Sequence, residues 1–164
     1  MDIKGTVTNT ITTDNNGKRI FTHPFYVTVG REKLGEMIYV SDSGTDNITK
    51  LSVKGKILDT YKHKKWSFIN ELTCVGEGQV LVCNHGRYTV DVVSDDGKDS
   101  VTLIDRTHGI MRPQALCYSP SQATLYVGIQ ITGKPLWVSK LSKKWTCCEW
   151  EWENGRVKFV LYST

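Results

Sequence analysis

What most constrains this chain is that it repeats itself. The stretch "YVSDSGTDNITKLSVKGKIL", Tyr39 to Leu58, returns in paraphrase as "LVCNHGRYTVDVVSDDGKDS", Leu81 to Ser100. Each copy opens on a β-branched run, passes a polar kink, resumes an alternating strand and turns at Gly-Lys. Three stretches align without gaps as a first strand: "PFYVTV" at Pro24, "NELTCV" at Asn70 and "PQALCY" at Pro113. A second strand follows as "MIYVSD" at Met37, "QVLVCN" at Gln79 and "TLYVGI" at Thr124. The third is "NITKLS" at Asn47, "TVDVVS" at Thr89 and "WVSKLS" at Trp137. A spacing of about 42 to 48 residues falls within or near the range of propeller blades.

No segment carries a helical period. Gly55 before Lys56 and Gly97 before Lys98 supply the positive φ that tight hairpins need. One small sheet cannot bury both of its faces, and radial stacking of successive sheets solves that problem. The chain is therefore expected to be all-β: one β-propeller domain over residues 1–164, with repeats near 21–61, 68–104 and 111–145. The ends read as half-blades, 1–20 and 146–164. "KGTVTNTITTDNNGKR" from Lys4 supplies outer strands, and "CCEWEWENGRVKFVLYS" from Cys147 a hairpin around Asn154-Gly155. Either these ends join into a fourth blade and close a ring of three full blades plus one, or the chain is a partial propeller.

Composition narrows the function. Hydrophobic residues make up 39% of the 164, and the net charge of +4 permits an anionic partner without demanding one. No apolar run is long enough for a membrane helix, and "MDIKGTVTNT" lacks a signal peptide's apolar stretch, so a soluble, cytoplasmic protein is expected. The five cysteines form no C-x-x-C pair, and no histidine lies at finger-like spacing. Under the gapless alignment Cys74 and Cys117 are equivalent, and both are expected as small buried side chains. Adjacent Cys147 and Cys148 would point to opposite faces of a strand.

No catalytic constellation is visible. The chain has no Gly-rich phosphate loop, no G-x-S-x-G and no His pair spaced for a metal, so no catalytic residue, metal or cofactor is assigned. Asp42 has Asn84 as its repeat mate, and both side chains suit a turn in which they accept from nearby backbone amides. Asp95-Asp96 before Gly97 reads as a solvated hairpin. His23, His63, His85 and His108 are scattered among loops.

The loops carry a sharper signal. Strands alternate direction, so the loop between second and third strands shares a face with the crossing to the next blade. One face thus collects "SDSGTDN", "CNHGRY" and "GIQITGKP" with the crossings "DTYKHKKWSF" and "IDRTHGIMR". There Lys62, Lys64, Lys65, Arg87, Arg106, Arg112 and Lys134 outnumber Asp42, Asp46, Asp59 and Asp105, before His63, His85 and His108 are counted. Tyr61, Trp66 and Tyr88 are interleaved with them. Cations with planar rings suit single-stranded RNA, and equally an acidic or aromatic peptide. The plain alternative is a solvated "KHKK" loop with Trp66 in the core between blades.

The units resemble NHL-type propeller repeats, in wording close to the C-terminal propellers of invertebrate tripartite-motif proteins. "FTHPFYVTV", "IYVSDSGTDNITKLSVKGKIL", "VLVCNHGRYTVDVVSDDGK" and "PQALCYSPSQATLYVG" carry the resemblance, over roughly residues 21 to 142. It implies a substrate-recruiting protein-binding module without ubiquitin ligase activity of its own, since RING, B-box and coiled-coil regions are absent from this sequence. The family's propellers usually have six blades, whereas this chain has material for about four. RNA binding is the alternative function, and a propeller hydrolase or lyase the third.

Overall fold

A computed structural model describes residues 7, 10–14, 16–75, 78–119, 121–122, 124–129, 137–142, 148–153 and 156–161, the last three ranges by backbone alone. Thirteen strands are described. The first sheet is β1 (Pro24–Glu32), β2 (Gly35–Asp42), β3 (Asn47–Ser52) and β4 (Ile57–Lys62), hydrogen-bonded in chain order. The second is β5 (Ile69–Val75), β6 (Gln79–Asn84), β7 (Thr89–Val93) and β8 (Ser100–Ile104), again in order. The third contains β9 (Pro113–Ser119), β10 (Thr124–Ile129), β11 (Trp137–Ser142), β12 (Cys148–Glu153) and β13 (Arg156–Leu161), in the order β12-β13-β11-β10-β9.

The hairpins between third and fourth strands are built alike. Gly55 N–H donates to Ser52 O and Gly97 N–H to Ser94 O, at 2.8 and 2.9 Å, with φ of 84° and 70° at the two glycines. That left-handed geometry costs a side-chain-bearing residue about 1–2 kcal/mol, so glycine belongs there. Gly97 has a second reason: a Cβ on it would lie 1.9 Å from Cδ1 of Tyr61.

The sheets stack through their first strands, with β1 touching β5 and β5 touching β9. Alternate residues of one strand serve opposite neighbours. Val80 and Val82 pack with Tyr39, Ile48 and Leu72 between the first and second sheets. Leu81 and Cys83 pack with Ile104, Leu116 and Val127 between the second and third. A β6 buried on both faces reads in sequence as a continuous apolar run, which hides the face each residue serves.

The gapless alignment places β6 correctly but shifts its first-strand neighbour by one residue. Val27 lies opposite Val40, Leu72 opposite Val82 and Leu116 opposite Val127, so the middle first strand is in register from Ile69 and not from Asn70. Each first strand carries a register shift near its start, again at matching places. Cys74 therefore matches Val29 and Tyr118, and Cys117 matches Thr73. Cys74 faces the first sheet, its Sγ 2.6 Å from where a Cβ on Gly30 would sit, whereas Cys117 is exposed. The expectation that both are equivalent and buried is corrected.

Two further readings change. Residues 57–62, taken partly as crossing loop, form β4, because β3 still has an open edge to pair. Among the described residues, neither strand of the C-terminal hairpin pairs with the N-terminal half-blade. β13 runs parallel to β11, pairing Leu141 with Phe159 and Ser142 with Val160, and thereby extends the third sheet. Among the described residues before β1 the only bridge is Thr13 to Arg19. A hairpin signal fixes local pairing and not the edge that accepts it. The Asn154-Gly155 turn, and the side chains of Cys147 and Cys148, lie outside the described residues.

Candidate functional site

The face that collects the second-to-third-strand loops is pinned by two polar side chains at repeat-equivalent positions. Asp42 ends β2 fully buried, and its carboxylate accepts from the backbone N–H of Thr22 at 2.5 Å, His23 at 2.9 Å and Gly44 at 2.9 Å. Burial alone would raise its pKa, but these amides and that of Thr45 outweigh it and hold the carboxyl below the ordinary aspartate value. Asn84 ends β6. Its Oδ1 accepts from Ser67 N–H at 3.1 Å, while Nδ2 donates to Lys65 O at 3.0 Å and Asp91 Oδ2 at 3.1 Å. Each side chain ties the segment entering its own sheet to the loop leaving the second strand. The third sheet has Ile129 at this position, buried in the apolar core.

The same face holds every described non-glycine residue with positive φ: Asp46 at 51°, Phe68 at 49°, Tyr88 at 60° and Arg112 at 46°. They form two equivalent pairs, Asp46 with Tyr88 just before a third strand and Phe68 with Arg112 just before a first strand. Bulky residues in this region carry strain that the surroundings must impose, and such strain concentrates at functional sites.

Arg106 is placed by a short 3-10 turn over Arg106–His108 that Asp105 caps and Gly109 ends. Thr107, through its hydroxyl and amide, together with His108, holds the Asp105 carboxyl below its usual range. The turn lays the Arg106 guanidinium 3.9 Å from the centroid of the Tyr88 ring, a cation-π stack between the loop of one strand pair and the crossing to the next sheet. Burial, and then the charge of Arg112, pushes the pKa of neighbouring His85 down, so its imidazole is neutral at pH 7.

Lys62, Lys64, Lys65, Arg87, Arg106 and Arg112 are all exposed. Lys65 is joined to the β6–β7 loop through Asn84, and Arg106 and Arg112 approach that loop at Tyr88 and His85. Lys134 lies outside the described residues. Two of the three aromatic rings are placed elsewhere. Tyr61 is 3% exposed and Trp66 6%, both in the core between the first and second sheets. Trp66 N–H donates to His63 O at 3.0 Å, a tight turn that directs the indole inward. Burying so large a ring gains roughly 4–6 kcal/mol, which explains why the core claims it. Trp66 is thus corrected from surface contact to core residue.

Phe68 takes the exposed role instead, at 65% exposure, with Met111 also exposed beside Arg112. Sequence reasoning misses both. The only available signal is that Phe68 and Arg112 immediately precede matched first strands. Among the described residues no three His, Cys, Asp or Glu side chains converge as a metal site. Also among them, no helix is long and apolar enough to cross a membrane. What the face offers is exposed cations, one of them stacked on the Tyr88 ring, and an exposed Phe.

These features define a β-propeller-like protein, all-β with several antiparallel sheets. The chain is similar to two solved structures. The hydrazine synthase of Kuenenia stuttgartiensis superposes with a TM-score of 0.53 at 15% identity, over 70% of this chain and 33% of that one. The virginiamycin B lyase from Staphylococcus aureus gives 0.51 at 17% identity, over 74% of this chain and 42% of that one. The chain thus spans well under half of either neighbour, and at these identities the likeness shows the fold alone. No family model matches the sequence, and no curated protein does.

Proposed function

We propose that this chain is a non-catalytic binding propeller whose loop face takes an acidic segment of a partner protein. The observation that carries the reading is the cluster of exposed cations around the Tyr88–Arg106 stack, with Phe68 beside it as an apolar anchor. Arg and aromatic residues set in rigid, strained loops are what protein hot spots use. Single-stranded RNA is the weaker reading because Tyr61 and Trp66 are buried and one face of Tyr88 is covered by Arg106, which leaves few free rings for bases. The NHL-like wording of the repeats supports substrate recruitment for a ubiquitin ligase whose chemistry resides outside these residues.

The test is a binding titration against acidic peptides and single-stranded RNAs. Arg87→Ala is expected to cost about 2 kcal/mol of peptide affinity. Phe68→Gly exchanges left-handed strain for chain entropy, so the fold stays within about 1 kcal/mol while peptide binding falls. If Lys64→Glu with Lys65→Glu weakens all RNAs alike and flattens their salt dependence, and peptides do not bind, the ligand is RNA. Turnover of a model ester or lactone by the wild-type protein would remove the non-catalytic half of the proposal.

A further inference from the structure

Bulges at matching places shape the inner edge of the three stacked sheets. The register shift of β1 falls before Tyr26, that of β5 before Leu72 and that of β9 before Ala115. A bulge re-aims the side chains it carries and is common beside functional sites. With Val27, Leu72 and Leu116 in register, Tyr26, Glu71 and Ala115 are equivalent, and so are Thr28, Thr73 and Cys117. Leu72 and Leu116 are buried, whereas positions that alternate with them keep contact with solvent: Tyr26 is 38% exposed, Glu71 is half-buried and Cys117 is exposed. Because β1 touches β5 and β5 touches β9, these positions share one inner wall.

Tyr26 and Glu71 are held together on that wall. The Ser41 hydroxyl accepts from Tyr26 N–H at 3.1 Å and donates to Asn70 O at 2.6 Å, which ties β1 to the residue before Glu71. The Tyr26 hydroxyl donates to the Glu71 carboxylate. That bond, then burial and the carboxylate charge, raise the Tyr26 pKa, with smaller contributions from Cys117 and Cys83, so Cys117 belongs to the same neighbourhood. The first strands carry two other charged residues, and both are paired: Arg31 lies 3.6 Å from Glu36, and Glu32 2.5 Å from Lys50. Glu71 forms no ion pair among the described residues. A half-buried carboxylate without a cation, beside an aromatic ring, is the complement of an ammonium or guanidinium group.

We propose that this inner wall is a subsite for a lysine or arginine side chain of the partner protein, its cation set against the Glu71 carboxylate and the Tyr26 ring. Resting on the loop face as the dock for an acidic segment, the site makes the ligand bipolar. Glu71 follows Phe68 by three residues, about 10 Å of extended chain, so the basic residue belongs three or four positions from the partner's acidic run. Opposite charges at the two ends fix the direction in which the partner lies. They also disfavour uniformly acidic chains, whose charge would meet Glu71.

A peptide pair tests the ligand, and a reagent pair tests the wall. An acidic peptide with lysine at that spacing is expected to bind about fivefold more tightly than the same peptide with glutamine there, and Glu71→Gln should bring the two to one affinity. Equal affinities for the unaltered protein would overturn the proposal while leaving the loop face as the dock. Cys117, exposed on the wall, reports the local field without any partner. Methanethiosulfonates carrying a trimethylammonium or a sulfonate group are compared by mass spectrometry of the fragment that contains Cys117. The net charge of +4 favours the anionic reagent at long range, so a rate about threefold higher for the cationic one is the expected signature of Glu71, and it should vanish in Glu71→Gln. Taking the ratio of the two rates removes any change in thiol ionisation, which both reagents share. If no acidic peptide binds, the loop face loses its assignment and the reagent ratio alone decides the wall. A ratio at or below one overturns the proposal.

Discussion

Asp42→Ala should loosen the loop face from its root. The side chain accepts three backbone N–H groups, from Thr22, His23 and Gly44, and it is fully buried. A hydrogen bond to a charged group contributes about 1.5–3 kcal/mol net. Thr22, His23 and Gly44 are exposed, so water recovers part of each loss, and a fair value is about 1 kcal/mol per bond, or about 3 kcal/mol in all. Against a total stability of about 5–15 kcal/mol, that is readily measured by urea denaturation. The pH dependence supplies an independent check. The folded-state pKa of Asp42 is depressed, so its stabilisation is fully present above the unfolded value of about 3.9 and is lost as pH falls through the folded pKa. The deficit of Asp42→Ala should therefore be complete at neutral pH and shrink in acid. Asp42→Asn keeps an acceptor oxygen and should show a smaller deficit without that acid limb. Amide exchange at Thr22 and His23 should accelerate in both. A deficit below about 0.5 kcal/mol, or one that does not change in acid, would refute the assignment of these bonds as the anchor.

Asn84→Asp sets a second carboxylate against Asp91, from which Asn84 Nδ2 is now 3.1 Å, and removes the donor that holds Lys65 O. It should cost more than the roughly 1–3 kcal/mol of a lost buried partner at neutral pH, and a raised carboxyl pKa should restore stability as the pH is lowered; calorimetry across pH checks both. Gly97→Ala places a Cβ 1.9 Å from Tyr61 and disturbs the Tyr61 hydroxyl's bond to Asp95 O, so it should cost about 3 kcal/mol or more. Gly35→Ala, with φ of 116° and nothing within 4 Å of the added Cβ, should cost only the backbone strain of about 1–2 kcal/mol, and equal thermal shifts for the two variants would remove the packing argument.

Sequence alone determined the first three strands of each unit, their turns and their periodicity, because those are local, whereas the fourth strand β4 reads partly as loop. Alternating β-branched residues favour a pleated backbone, Gly55 and Gly97 admit the left-handed turn, and Asp42 and Asn84 sit where a side chain can reach a loop amide. The sharing of one face by the cation-bearing loops also follows from strand alternation. Burial does not, because it depends on what another sheet presents. Trp66 and Phe68 stand two residues apart in one crossing, yet the indole enters the core and the phenyl ring stays outside, since the His63–Trp66 turn and the left-handed backbone at Phe68 separate them. Cys74 and Cys117 fall on equivalent positions of the gapless alignment, and only cross-strand register assigns one to a packed position and the other to an exposed one. The C-terminal hairpin is legible as a hairpin, but it joins β11 because a free strand edge there satisfies its backbone groups, and a chain's own text does not state which edge is free.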